Sequence, residues 1–432
     1  MMNHKFNGQL SIVLFLVVGI GSIFWSVNMA TKTSNTSHGS ATAESASSAG
    51  VANPFPQNLT FPDCIRPNNV SQVEMNNSIK SYYDYWKKTY IRESNGVTPG
   101  GGCYVSMKGT GGSGDEITTS EAHGYGMIIF ALMAGYDAQA KGHFDGMFNM
   151  FDKHRSKNNP NNMSWLIDKS EQSSKDQDSA TDGDMDIAYA LLLADRQWGS
   201  NGKINYLEEA RKIITDGIKK SAMSEKSKRP LLGDNSPDQY ATRASDWMTD
   251  HFKAFQKATG DNFWGEAAKT VYDMINLITL NHSSITGLMP DFVVGHSAEP
   301  ARPNFLEAKT DGDYSWNACR YPWRLATDFA HHQSPEARAA ANKVVNWIKD
   351  NSGGDPRNIK AGYKLDGTPL AHYSDPAFTS PIIAAAMVDS SHQAFLNSGW
   401  DVIKNWKDGY YGDTINMLCM LLISGNWWSP DL

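Results

Sequence analysis

From about residue 56 to the C-terminus, apolar residues return at the i, i+3, i+4, i+7 spacing of a helix, and almost no stretch alternates as a half-buried strand would. The spacing predicts twelve helices, near 72–92, 120–139, 142–156, 183–198, 205–221, 238–258, 262–280, 316–331, 335–351, 379–389, 391–405 and 410–424. Twelve helices in one continuous all-α segment fit a closed ring of helical hairpins around a common axis, and a pair of helical bundles would give the same number. No sequence repeat decides between them. The connections 93–119, 157–181 and 281–315 are long and aperiodic, and long loops inside a compact domain are usually functional or disordered. If alternate helices run the same way, these loops converge on one end of the ring and line a cleft there.

The start of the chain is different. A short segment with one lysine, Lys5, leads into an apolar run of 18 residues from Leu10 to Val27. That is the pattern of a secretory signal over residues 1–30, with an uncleaved anchor as the alternative because the run is near the lower limit for spanning a bilayer. Either way the rest of the protein is expected outside the cytoplasm. Residues 31–55, rich in Ser, Ala and Thr, have too few large apolar side chains to offset the entropy of ordering and read as a linker. The catalytic or binding domain is then 56–432. A formal charge of −7 argues against nucleic acid or an anionic membrane as the main partner and favours a neutral or cationic one. Cys64, Cys103, Cys319 and Cys419 show no CxxC spacing, so a metal knuckle is not indicated. Export permits disulfides. Cys64 and Cys103, in loop-like surroundings, are the preferred pair, and Cys319 and Cys419 lie in helical patterns as buried thiols.

Three stretches concentrate chemistry. In SATDGDMDIAYALLLADRQW, residues 179–198, Asp182, Asp184 and Asp186 stand at alternate positions where a helix begins, with Thr181 or Asp182 as its N-cap. The helix dipole favours acids in a first turn, which is the plain structural explanation. A calcium loop fails because Ala180 and Tyr189 occupy positions that need oxygen ligands. In TTSEAHGYGMIIFALMAGYD, residues 118–137, Glu121 stands in a first turn capped by Thr119 or Ser120, and Gly124 and Gly126 imply close approach by a neighbouring helix or a ligand. In FLEAKTDGDYSWNACRYPWRLATDF, residues 305–329, Glu307, Asp311 and Asp313 lie on loop beside Trp316, Arg320, Trp323 and Arg324. Acids on a loop are usually solvated, but such a cluster of Trp, Tyr and Arg marks a surface suited to sugar rings, which offer an apolar face and hydroxyls.

Other signals fail. GTGGSG, residues 109–114, has the GxGxxG form without a preceding strand or partner acid and reads as a flexible loop. There is no HExxH, Walker loop or GxSxG. His123, His331 and His332 read as structural, and neither metal nor cofactor is expected.

The segment from Ala180 to Trp198 resembles the signature of glycoside hydrolase family 8 at every defined position, and SEAHGYGM, residues 120–127, resembles that family's other characteristic segment. SDWMTDHFKAF, 245–255, and NACRYPWRLATDF, 317–329, extend the likeness from about residue 60 to the C-terminus. The resemblance implies an (α/α)6 barrel and inverting endo-hydrolysis of β-1,4-linked polysaccharides. It implies Glu121 as general acid and Asp182 as the aspartate that holds and distorts the sugar at the scissile bond. One branch of the family takes its base from an aspartate where this chain has Asn317. A branch that resembles Bacillus-type chitosanases, endoglucanases and lichenases takes it from a glutamate on an inserted loop, and Glu307 is the match. A third branch, acting on oligosaccharide ends, also carries asparagine there, so the insertion decides the assignment.

An inverting hydrolase needs a protonated carboxyl at the glycosidic oxygen and an ionised one across the ring, about 6.5–9.5 Å away. Glu121 at a helix N-terminus would ionise early, so the negative Asp182 is expected to push its pKa up, while Glu307 on a flexible loop activates the water. Trp165, Trp247 and Trp316 are candidates for stacking sugar rings, and Arg320 and Tyr314 for orienting the acids or the water. Asp168, Glu171, Asp176, Asp178, Asp184, Asp311 and Asp313 form an expected acidic rim that suits polycationic chitosan. Chitosanase is therefore the first expectation, with endo-1,4-β-glucanase or lichenase as the alternative and a non-catalytic polysaccharide-binding protein as a remote one. A monomer acting on a polysaccharide, without protein or nucleic-acid partner, is expected.

Overall fold

The computed structural model describes residues 50–94, 96, 98, 100–107, 116–170 and 177–431. The leader 1–30, residues 31–49 of the linker, the GTGGSG loop, Glu171 and Asp176 lie outside the described residues. Among the described residues no helix is long and apolar enough to cross a membrane.

Among the described residues twelve α-helices form, as the periodicity predicts: α1 Gln72–Tyr90, α2 Ser120–Met133, α3 Ala140–Lys153, α4 Thr181–Trp198, α5 Tyr206–Lys212, α6 Thr249–Thr259, α7 Phe263–Asn281, α8 Tyr321–His332, α9 Pro335–Asn351, α10 Pro376–Ala385, α11 Gln393–Ile403 and α12 Tyr410–Ile423. The even-numbered helices pack in a closed circuit, α2 on α4, α4 on α6, α6 on α8, α8 on α10, α10 on α12 and α12 back on α2. The odd-numbered helices pack outside the inner ring, α3 on its sequence neighbour α2 for example, and α1 on α12 at the other end of the chain. This is the (α/α)6 barrel rather than a pair of bundles. The two rings differ in sequence as their burial demands. Every residue of α2 except Glu121 is buried, and α4, α8, α10 and α12 are buried nearly all round, whereas α1, α3 and α9 bury one stripe.

Because inner helices alternate with outer ones, all six inner helices run the same way. Connections leaving their C-termini are short, such as 333–334 between α8 and α9, while the long ones precede α2, α4, α6, α8 and α10 and gather at the N-terminal end. The few strands belong to these loops: β1 Ile91–Glu93 with β2 Cys103–Val105, β3 Glu116–Thr119 with β4 Leu166–Asp168, and β5 Thr242–Arg243, β6 Phe292–Val294 and β7 Glu299–Pro300 together. At two to four residues each, they are too short to show alternation in the sequence.

Several details depart from expectation. The helix predicted at 238–258 starts only at Thr249, because 242–243 pairs with β6 and Ala244–Asp246 forms a 3-10 turn. The helix predicted at 205–221 continues past α5 as a π-helical stretch, Ile213–Ala222. The barrel also takes up the last residues assigned to the linker: Ala52 N–H donates to Gln197 O, and buried Phe55 donates to Ala134 O at 2.7 Å. Cys64 and Cys103 are free thiols, not a disulfide. Cys103 in β2 donates to the His143 carbonyl at 2.9 Å, while Cys64 lies in the loop whose Ile65 N–H donates to Met387 O. Cys319 and Cys419 are buried thiols, as expected.

Candidate active site

At the N-terminal end of the inner ring, α2 and α4 meet more closely than ordinary side chains allow. A Cβ at Gly183 would lie 2.6 Å from the Ser120 backbone carbonyl carbon, and one at Gly124 would overlap Asp186 and stand 3.2 Å from Gly183 O. The glycines of the SEAHGYGM segment are thus a helix seam, with Gly126 facing Val105 and Met147. The seam sets Glu121, the second residue of α2, beside Asp182, the second residue of α4. Thr119 caps α2 by accepting from Ala122 N–H at 3.2 Å. Helix α4 has no side-chain cap: its N-cap is Ala180, Thr181 donates to Leu231 O, and Asp182 accepts from Gly183 N–H.

The three alternating acids have three separate jobs. Asp182 Oδ2 accepts from Arg320 Nη1 at 2.8 Å. Asp184, fully buried, accepts from Met163 N–H at 2.8 Å and so anchors the loop that carries Trp165. Asp186 pairs with Arg324 through both oxygens, at 3.0 and 2.7 Å, and with His251 at 2.8 Å inside the barrel.

Arg320, in a 3-10 turn Ala318–Arg320 leading into α8, is the hub. Its Nη1 donates to Glu121 Oε2 at 2.7 Å, to Asp182 Oδ2 and to the Tyr125 hydroxyl, and its Nη2 donates to Asn317 Oδ1 at 3.0 Å. Tyr410, at the start of α12, donates to Glu121 Oε1 at 3.1 Å. Burial pushes the Glu121 carboxyl up to about 7, with the charge of Asp182 adding to it and Arg320 and the Tyr410 hydroxyl opposing. The expected effect of Asp182 is present, but desolvation is the larger cause. The Glu121 side chain keeps 19% of its surface exposed, an opening through which a glycosidic oxygen can reach it.

Glu307 joins the same network through Asn317. Its Oε2 accepts from Asn317 Nδ2 at 2.9 Å and its Oε1 from Arg243 Nη2 at 3.3 Å. The loop is not free, as the sequence reading supposed. Buried Asp311 accepts from the N–H groups of Leu306, Glu307 and Ala308 at 2.7, 3.0 and 2.7 Å. Asp291 does the same for the turn behind it, accepting from Ser315, Asn317 and Ala318 N–H at 3.1, 3.0 and 2.6 Å. Asp246 is a further buried acid here, raised to about 7 by burial and by Asp182, against Arg243.

The structure therefore brings together Glu121, Asp182, Glu307 and Arg320. Trp165 and Trp316 are half-buried and keep ring surface open. Trp247 does not fit its stacking role: it is buried to 2%, bonds Thr242 through Nε1 and packs edge-on against Tyr321. Tyr314 is likewise core, 1% exposed with its ring against Phe378, and among the described contacts it orients neither acid. The acidic rim loses two of its members, since Asp184 and Asp311 are buried hydrogen-bond acceptors. Arg243, Asn317, Asp246 and Tyr410 were not foreseen as site residues. The YYGD start of α12 carries an acid and two tyrosines in a first turn, a signal visible only once that helix is known to begin at the cleft.

Among the described residues, Asp250, His331 and His332 alone group metal-type ligand atoms, within 4.8 Å of one another. Asp250 Oδ1 already accepts from both imidazoles, at 2.8 and 3.1 Å, and the group sits at the opposite end of α8 from Arg320. Its chemistry is that of a buried ion pair.

A carboxyl raised to about 7, a second one linked to it through Arg320 and Asn317, and half-buried tryptophans beside them fit a carboxylate-based glycoside hydrolase. The chain belongs to glycosyl hydrolases family 8, whose model matches residues 67–425. It is 43% identical over 381 residues to an endoglucanase of Bacillus sp. (strain KSM-330), covering 87% of this chain and 82% of that protein. It is 43% identical to a beta-glucanase of Niallia circulans over 383 residues, covering 87% and 91%. Among solved structures, the apo beta-1,3-1,4-glucanase from Paenibacillus sp. X4 is similar with a TM-score of 0.83 at 43% identity, covering 88% of this chain and 99% of that one.

Proposed function

We propose that the protein is an inverting endo-glucanase that cleaves β-1,4 bonds in a mixed-linkage or cellulose-type β-glucan. The observation that carries the reading is the guanidinium of Arg320, which binds Glu121 and Asp182 together at the end of a buried seam and reaches Glu307 through Asn317. In the reaction, Glu121 gives its proton to the glycosidic oxygen as the C–O bond breaks. A water adds to the anomeric carbon from the other face and loses its proton to Glu307, so the configuration inverts. Asp182, pinned through Arg320, holds the sugar at the scissile bond and stabilises positive charge on the ring. Trp165 and Trp316 supply stacking surfaces.

Chitosan yields first place to β-glucan for two reasons. The polycation argument needed a solvated acidic rim, and two of its members are engaged inside the protein. The relatives at 43% identity are a named endoglucanase and a named beta-glucanase. Polymers of this size stay outside cells, so the reading includes export through the Leu10–Val27 segment. N-terminal sequencing of protein from the culture medium checks that. The activity test is reducing-end release from mixed-linkage β-glucan, carboxymethylcellulose and chitosan, with the anomer of the new end read by NMR. Release from the glucans with α-anomer appearing first supports the reading. Cleavage of chitosan alone overturns the substrate, and a β-anomer overturns inversion.

A further inference from the structure

Asn317 occupies the position where another branch of the family carries its base, and its amide cannot accept a proton usefully. Its hydrogen bonds show what it does instead. Arginine has no acceptor, so the side-chain oxygen of Asn317 must face Arg320, as it does at 3.0 Å, and the NH2 group is thereby turned outward. That NH2 group meets Glu307 Oε2 at 2.9 Å. The orientation is forced from behind as well. The Asn317 backbone N–H is fixed by Asp291, and its carbonyl accepts from Arg320 Nε at 3.3 Å. Glu307 needs such a hold: its backbone is tied by Asp311, but its side chain is 46% exposed and would otherwise sample several rotamers.

We infer that Asn317 is the positioning residue of the base, its amide tying Glu307 to the same guanidinium that holds the acid Glu121, with Arg243 closing the clamp on the other carboxyl oxygen. The inference rests on the proposed glucanase reading and deepens it. An aspartate at 317 would keep the bond to Arg320 but turn an oxygen toward Glu307 Oε2, placing two carboxyls in hydrogen-bond range, where they share a proton. A base on the 305–308 loop thus requires an amide, not an acid, at 317.

The charged groups beside Glu307 are Arg243 from the segment before α6, Asp291 from before β6 and Asp311 on its own loop, and around Arg243 stand Asp246, Asp182 from α4 and Arg320. None of these changes in Asn317→Asp, so a change in pH response reports the new carboxylate. The experiment measures kcat, KM and the pH profile of kcat/KM on mixed-linkage β-glucan for the full chain and for Asn317→Asp, Asn317→Ala and Glu307→Gln. A loosened base costs on the order of 100-fold for each ångström of misplacement. Asn317→Ala is therefore expected to lose about 10- to 100-fold in kcat with KM within about twofold. Asn317→Asp is expected to lose at least as much and to move the acid limb to higher pH. Should the charged variant fail to fold, the split between kcat and KM in Asn317→Ala decides. Both Asn317 variants keeping wild-type kcat and profile while Glu307→Gln is inactive sinks the inference and leaves the base standing. A gain of activity in Asn317→Asp also sinks it, since the new acid would then be acting as base. An active Glu307→Gln removes the base reading and the inference together.

Discussion

Gly183 in α4 rests on the backbone of Ser120 in α2 so closely that a methyl group there would lie 2.6 Å from the Ser120 carbonyl carbon. Glu121 follows Ser120 and Asp182 precedes Gly183, so this one contact sets the distance between the acid and its neighbour. Gly183→Ala must push the helices apart, at a cost of about 1–3 kcal/mol from overpacking. The melting temperature should fall and kcat with it. Gly142 in α3 has open space where its Cβ would be, and Gly142→Ala should gain up to about 1 kcal/mol from helix propensity and leave kcat alone. Equal melting temperatures for the two variants would remove the seam argument.

On the proposed reading Glu121 donates the proton, and with its carboxyl raised to about 7 that proton is present in acid solution and lost as pH rises through neutrality. The profile of kcat/KM should therefore fall on its alkaline side near pH 7, and Glu121→Gln should lose about 10²–10⁴-fold throughout. The Tyr410 hydroxyl opposes the shift by donating to Glu121 Oε1, so Tyr410→Phe should move the alkaline limb to higher pH. A limb that stays in place or moves down in Tyr410→Phe would show that the hydroxyl does not act on the acid.

Tryptophans of the site divide by exposure. Trp165→Ala removes an open ring face and should raise KM for the polymer with little change in melting temperature. Trp247→Ala empties a core position and should cost about 3–5 kcal/mol, with KM unchanged in whatever protein remains folded. Reversal of the two patterns would restore Trp247 to the cleft.

Helix number followed from apolar spacing, but the spacing left a ring and a pair of bundles open, and the ring was legible only through the family resemblance. Glu121 and Asp182 were legible through the resemblance to the family's two segments, because a first-turn acid by itself has a helix-dipole explanation, and Arg320 through its place in a cluster of Trp, Tyr and Arg. Trp247 was misread because it sits in a turn of seven residues, Thr242 to Met248, where periodicity says nothing about which way a ring points. Asp184 and Asp311 were taken for surface charge because backbone N–H groups, their real partners, leave no mark in a sequence. The clamp on Glu307 joins residues 243, 307 and 317 across three elements, and only the folded chain juxtaposes them.

At the far end of α8, His331 donates to Asp250 at 2.8 Å and bonds the Trp427 carbonyl at 3.0 Å, tying the C-terminal segment to the barrel. The neighbouring carboxylate raises His331 above its ordinary 6.5 despite burial, and Asp250 is held well below its ordinary 3.8 by the His331 charge together with bonds from His251, His331 and His332. A raised histidine contributes stability that is complete below 6.5 and is lost as pH rises through its folded value. A depressed aspartate contributes stability that is present above 3.8 and is lost as pH falls through its folded value. The pair is therefore strongest between those limits. Asp250→Asn strands the buried imidazolium and should cost about 3–5 kcal/mol in that window, shrinking at higher pH as His331 loses its proton. Melting curves of both proteins from pH 4 to 9 check this. A gap that stays constant across the range would mean the pair is held by packing and neutral hydrogen bonds rather than by charge.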